Sequence, residues 1–142
     1  MNLSRYTLKK ISPENVTIPP AEIFDLPEKV LQFGTGILLR GLPDFFIDKA
    51  NRMGIFNGRV VMVKSTSKGD ATLFDSQDGL YTLCERGIID GKKIEKNTIN
   101  SAISRVLIAQ NEGKQILECA QNKDLKIIIS NTIEPGIRLV SD

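Results

Sequence analysis

The stretch Val30–Gly54, VLQFGTGILLRGLPDFFIDKANRMG, decides how this chain is read. Val30, Leu31 and Phe33 open it as a short buried strand. Two glycines follow, Gly34 and Gly36, separated by Thr35. Leu38, Leu42, Phe45, Phe46, Ala50 and Met53 then recur at steps of three and four, which predicts a helix with one apolar face. Pro43 would remove a hydrogen bond deep inside such a helix, so the regular part is expected to start, or to kink, near Leu42. Gly54 suits the C-terminal cap, and Asp48 and Arg52 can pair along the solvent side. The pattern is strand, glycine turn, helix.

Outward from this stretch, buried strands alternate with helices. Val60–Val63 is a continuous β-rich run of the kind covered on both faces. "TSKGDATLFDSQDG" is polar and turn-rich. "LYTLCERGIIDGKKI" reads as two short strands around Arg86–Gly87, a candidate hairpin. "NTINSAISRVL" is expected to be extended and then to turn into a short helix. A helix carrying Ile116, Leu117 and Ala120 follows, and then a further apolar strand, Leu125–Ser130. Residues 1–28 are punctuated by Pro13, Pro19, Pro20 and Pro27 and read as an irregular leading arm, with one helical turn near Ala21–Phe24. The order predicts an α/β fold: a Rossmann-like, mainly parallel sheet with flanking helices.

Composition narrows the function. The chain has 142 residues and a formal net charge of +2, with scattered lysines and no basic stripe, which argues against nucleic acid. Charges interrupt every apolar run before it reaches bilayer-spanning length, and the N-terminus lacks an apolar signal core, so no membrane is expected and the cytoplasm is the expected compartment. The two cysteines, Cys84 and Cys119, are expected to be free thiols. Cys84 is read as a small core residue, because no histidine is present to activate it. The zero histidine count removes a Ser-His-Asp triad, a histidine base and a histidine metal site from these residues.

In a parallel α/β sheet, the turn after the first strand opens at the carboxyl edge where ligands bind. Gly34 can take a positive φ, Gly36 lets a pyrophosphate approach the backbone, and the first N–H groups of the helix favour an anion. The usual fingerprint would carry a third glycine or alanine where Leu39 stands, and an acid at the end of the second strand. That strand instead ends in "KSTSK", with no carboxylate before Asp70. Lys64 or Lys68 could meet a ribose phosphate, or both could be solvated. On the residues alone, a dinucleotide site and a plain structural turn both stay open. "SNTIEPG", after the last strand, lies at the same edge, where Asn131 and Thr132 could donate to a ligand or merely turn the chain.

Taken together, "LQFGTGILLRG", "QDGLYTL" with "RG", "ISRVL" and "SNTIEPGI" occur in an order and at distances that resemble the tagaturonate reductase (altronate oxidoreductase) branch of the mannitol dehydrogenase family. The likeness runs from about Val30 to Ile137. It implies a metal-independent, reversible hydride transfer between a sugar acid, altronate, and a nicotinamide dinucleotide. Gly34, Gly36 and Arg40 match the family's nucleotide loop, and "SNTIEPG" its loop beside the cofactor, usually Ser-Asn-Thr-Thr-Glu-Ala-Gly. The residues expected to bind NAD are therefore Phe33, Gly34, Thr35, Gly36, Ile37, Leu38, Arg40, Lys64, Ser65, Ser130, Asn131 and Thr132. Pro43 and the missing acid depart from the pattern and leave NADP open as well. Family members carry their catalytic lysine, with asparagine and histidine partners, in a helical C-terminal domain. The resemblance thus implies that residues 29–142 are part of a Rossmann-like dinucleotide domain, that the chain is an N-terminal piece, and that it holds no catalytic residue. An exposed interdomain surface, prone to self-association, is expected. The alternative is a non-catalytic nucleotide-binding or structural α/β domain.

Overall fold

The computed structural model describes residues 2–65 and 72–132. Its centre is a four-stranded parallel sheet of β1 (Glu28–Phe33), β2 (Arg59–Lys64), β5 (Ile103–Ile108) and β6 (Ile127–Ser130), in the order β5-β2-β1-β6. The chain first builds outward from β1 through β2 to β5. It then crosses back to place β6 on the other side of β1. This reversal between β1 and β6 is the switch point at which doubly wound sheets open a crevice.

β1 and β2 are central, and Val60–Val63 are all buried, as a strand covered on both faces requires. On one face Leu31, Val61, Val63 and Leu107 pack with Cys119 of α4 (Gly113–Gln121). On the other face Val30, Val60 and Ala102 pack with Ile47 of α3 (Pro43–Arg52). The segment after Asn100 stays extended and enters β5 directly, so no helix forms there as the sequence reading expected. The run "ISRVL" pairs with β2 and gains a full parallel ladder, which outweighs its local pattern. β6 is an edge strand. Ile127 and Ile128 are exposed, so the apolar run Leu125–Ser130 is not the buried strand its composition suggested.

The helix after the glycine turn is broken in two. α2 (Ile37–Gly41) ends at Leu42, whose φ of −120° and ψ of −78° are not helical, and Pro43 starts α3 in the first-turn position that proline tolerates. The kink expected at Leu42 is present, but the buried face of α3 is not the expected one. Asp44, Ile47, Asp48 and Asn51 face the sheet, whereas Leu42, Phe46 and Met53 are exposed, as is Leu38 in α2. Asp48 and Arg52 do pair, at 2.7 Å, but inside the fold and not along the solvent side. Asp48 also accepts from the backbone N–H and the hydroxyl of Ser101, and Arg52 donates to the carbonyls of Ile18 and Ile99. Backbone groups at Ile99 and Ser101 need partners once buried, and Arg52 and Asp48 supply two of them, for the Ile99 carbonyl and the Ser101 N–H.

β3 (Tyr81–Ile89) and β4 (Lys92–Asn100) form the expected hairpin, though its turn lies at Asp90–Gly91, later than Arg86–Gly87. Both cysteines are free, but Cys84 is exposed on β3 and does not belong to the core, because alternation along an outer strand turns it outward. The leading arm is more ordered than its prolines suggested. It contains α1 (Arg5–Leu8), capped by Ser4, and a 3₁₀ turn at Ala21–Asp25. Leu8 buries with Leu80 and Ile99, and Thr17 pairs in parallel with Thr98, so the arm closes a second small core over the hairpin.

Candidate functional site

Three strand ends converge at the carboxyl edge of the sheet. Phe33 is in register with Val63 of β2 on one side and with Ser130 of β6 on the other. The Gly34 N–H continues the ladder by donating to the Val63 carbonyl at 2.9 Å. Gly34 and Thr35 therefore leave β1 beside the β2 end, where Lys64 and Ser65 stand, and beside the β6 end, where Ser130, Asn131 and Thr132 stand. All of these residues gather at one edge from separate parts of the chain. The rest of "SNTIEPG", together with Lys68 and Asp70, lies outside the described residues.

Within the turn, the two glycines have different reasons to be glycine. Gly34 has a φ of +122°, and a Cβ there would meet Leu39 Cδ1 at 2.9 Å. Leu39 is buried and uses the room that Gly34 leaves. A large residue at the third fingerprint position is thus accommodated from the other side of the contact. Gly36 has an ordinary extended backbone, φ −69° and ψ 161°, and a Cβ on it would touch nothing within 4 Å. Neither strain nor packing demands glycine at that point. The open space beside it is the space an approaching anion would use. Gly36 is followed by α2, whose first N–H groups have no intrahelical partner.

Ile37 and Leu38 are exposed beyond the turn. Arg40 is half-buried, its guanidinium between the rings of Phe74 (5.5 Å) and Tyr81 (5.6 Å). Tyr81 also donates its hydroxyl to the Arg40 carbonyl at 2.7 Å. Burial pushes the Tyr81 phenol far above its usual range, with the Asp44 and Asp48 charges acting the same way, so it remains a donor. A cleft of about 610 Å³ opens between α2 and β3, lined by Ile37, Arg40, Gly41, Tyr81 and Cys84 among others. The "QDGLY" motif has a structural basis here. Gly79, at φ +73°, passes so near the Ile103 carbonyl that a Cβ would lie 2.7 Å from its oxygen, and this approach aims Tyr81 at α2.

Lys64 is buried at the end of β2, so the solvated alternative fails for this lysine. Ser65, just past it, is exposed, and neither of the two is an acid. A set of polar residues lies beneath the turn, outside both the glycine motif and the apolar periodicity. Gln32 and Asp44 are both fully buried, and Gln32 Nε2 lies 3.2 Å from Asp44 Oδ2 and 3.4 Å from the Gly34 carbonyl. Asn100 donates to the Asp44 carbonyl at 3.0 Å. Burial pushes the Asp44 carboxyl up to about 7, against the lowering effects of the Gln32 hydrogen bond and the Arg40 charge. Two signals could have found this set: a glutamine inside the apolar run VLQF, and the spacing of Asp44, Asp48 and Asn51 along one helical stripe.

No protein-family model matches the chain. It is 39% identical over 118 residues to an altronate oxidoreductase of Halalkalibacterium halodurans, covering 82% of this chain and 23% of that protein. It is 40% identical over 111 residues to one of Bacillus subtilis, covering 78% and 23%. Among solved structures, the Pseudomonas fluorescens mannitol 2-dehydrogenase ternary complex with NAD and D-mannitol superposes with a TM-score of 0.80 at 21% identity, over 92% of this chain and 26% of that one. A substrate-free D-sorbitol dehydrogenase superposes with a TM-score of 0.79 at 25% identity, over 94% and 28%. The resemblance read from the motifs is borne out: the chain has a Rossmann-type dehydrogenase fold and is similar in sequence to altronate oxidoreductases, of whose length it spans 23%.

Proposed function

We propose that this chain forms the NAD-binding portion of an oxidoreductase that interconverts D-altronate and D-tagaturonate by hydride transfer in hexuronate breakdown. The observation that carries the reading is the glycine turn at the β1–β6 switch point, in a chain 39% identical to an altronate oxidoreductase. The residues present fit a dinucleotide. Gly36 borders open space with no atom within 4 Å of a Cβ position, α2 starts beside it, and the β2 and β6 ends flank the turn. Residues 33–38 would cradle the pyrophosphate through backbone N–H groups. Arg40 would hold α2 in place through its stacking on Phe74 and Tyr81. Ser130, Asn131 and Thr132 would border the nicotinamide side, and Lys64 and Ser65 the ribose side. The cofactor, when bound, supplies the hydride acceptor; these residues bind and orient it. No acid follows β2 before position 66, so NADP stays within the reading beside NAD. A small sugar acid is the substrate class, and the cytoplasm the compartment. Among the described residues, no helix is long and apolar enough to cross a membrane.

Titration calorimetry of the folded chain with NADH, NADPH and ATP tests the reading. The expected result is binding of a nicotinamide dinucleotide in preference to ATP. No binding of any of the three at millimolar ligand would favour a structural α/β domain whose glycine turn only connects elements.

A further inference from the structure

Beneath the glycine turn lies a buried cluster with too few donors. Asp44 and Gln32 are both fully buried. Gln32 Nε2 carries two N–H donors, one directed at Asp44 Oδ2 at 3.2 Å and one at the Gly34 carbonyl at 3.4 Å. Asp44 Oδ1 and Gln32 Oε1 are buried acceptors with no hydrogen-bond partner. An unmet buried acceptor is costly, and a buried unpaired charge more so. One proton on Asp44 removes the charge and supplies the donor that the cluster lacks. We infer that Asp44 is a positioning residue for the glycine loop, acting through Gln32, and that its protonation state sets how well the loop accepts the pyrophosphate of a dinucleotide. This inference rests on the dinucleotide reading above.

The coupling runs through named contacts. When Asp44 is neutral, neither N–H of Gln32 Nε2 is drawn by a charge, so the bond to the Gly34 carbonyl keeps its length, and no negative charge sits behind the loop. When Asp44 is ionised, its charge-assisted bond to one N–H tightens and pulls the Gln32 amide toward α3, which lengthens the second bond, already 3.4 Å, to the Gly34 carbonyl. The new charge also opposes an incoming anion across a poorly screened interior. Other groups face Asp44 from each packed element. Arg40 of α2 acts to keep it ionised, with its Nε buried and without a hydrogen-bond partner. Tyr81 of β3 points its hydroxyl at the Arg40 carbonyl, and Asn100 of β4 binds the Asp44 backbone. Asp48, one turn along α3, is already paired with Arg52 and Ser101. Lys64 of β2 stands two residues past Met62, the register partner of Gln32, on the same side of that strand. Burial dominates the balance and brings the Asp44 carboxyl up to about 7, within a range that assays can reach.

The test uses the chain and its Asp44→Asn variant between pH 5.5 and 8.5. In ligand-free protein, the amide resonances of Thr35 and Gly36 should titrate with an inflection near pH 7, and the variant should be flat over that range. NADH affinity should fall about tenfold from pH 5.5 to 8.5 in the wild type, the change that one unit of coupled pKa produces. In the variant it should stay constant. A wild-type Thr35 resonance without an inflection overturns the inference whatever NADH does, and this holds even if Asp44→Asn fails to fold. An inflection that persists in a folded Asp44→Asn variant also overturns it. Titration of Thr35 with no NADH binding at any pH supports the Asp44–loop coupling and overturns the dinucleotide reading instead.

Discussion

Gly36→Val separates the glycine loop's role in binding from its role in folding. The backbone at Gly36, φ −69° and ψ 161°, is one that valine adopts readily, and the Cβ position has nothing within 4 Å. The Gly36 carbonyl still accepts from the Arg40 N–H at 3.2 Å, so α2 keeps its first bond. Stability should therefore change by no more than about 0.5 kcal/mol, as for a surface site free of special features. Binding should suffer badly. A branched side chain at this point fills the approach to the first α2 N–H groups, and each charge-assisted bond lost is worth about 1.5–3 kcal/mol. Loss of one such bond lowers NADH affinity roughly 10–150-fold. Gly34→Ala cannot make the same distinction, because φ +122° and the contact with Leu39 strain the fold itself, by about 1–3 kcal/mol. The assay pairs NADH titration with urea unfolding on the same preparations. Affinity within twofold of wild type in a normally stable Gly36→Val protein would remove the loop from the dinucleotide site.

Asp48→Ala should destabilise the chain by about 3 kcal/mol or more, because it strands Arg52 and two Ser101 donors inside the fold; denaturant unfolding reads this directly. Asp44 has a folded-state pKa raised above its unfolded value of 3.8, so its contribution is fully present below about pH 4 and is lost as pH rises through about 7. Asp44→Asn should therefore raise the melting temperature more at pH 8 than at pH 5; an equal effect at both would contradict the raised value. The outward face of α2 and α3 presents Leu38, Leu42, Phe46 and Met53, so the chain should bind a hydrophobic dye or self-associate in sedimentation, and a dye-silent monomer would count against an interaction surface there. With altronate and NAD at alkaline pH, the chain alone should show no NADH formation. The 142 residues contain no histidine to take the hydroxyl proton, and general-base catalysis is typically worth ~10²–10⁴-fold.

Much of the framework was legible in the sequence. Val60–Val63 read as a strand covered on both sides, and the glycines after Phe33 marked the turn at the carboxyl edge of the sheet. Pro43 broke the following helix because proline lacks an N–H, wherever the helix packs. The gathering of Phe33, Ser65 and Ser130 at one edge also followed, since parallel strands joined by crossovers place all their carboxyl ends together. The orientation of α3 was not legible. Its sequence carries two stripes, one apolar through Leu42, Phe46 and Met53 and one polar through Asp44, Asp48 and Asn51. Periodicity finds both stripes but does not say which one faces inward. The choice was made by groups remote in sequence. Asn100 and Ser101 bring donors against the helix, and the Gly58 N–H and carbonyl meet the amide of Asn51. Those backbone and side-chain groups come from the start of β2 and from the β4–β5 corner, and they are buried where these segments meet α3. Once buried they must be paired, and that requirement outweighs leaving three apolar side chains in water.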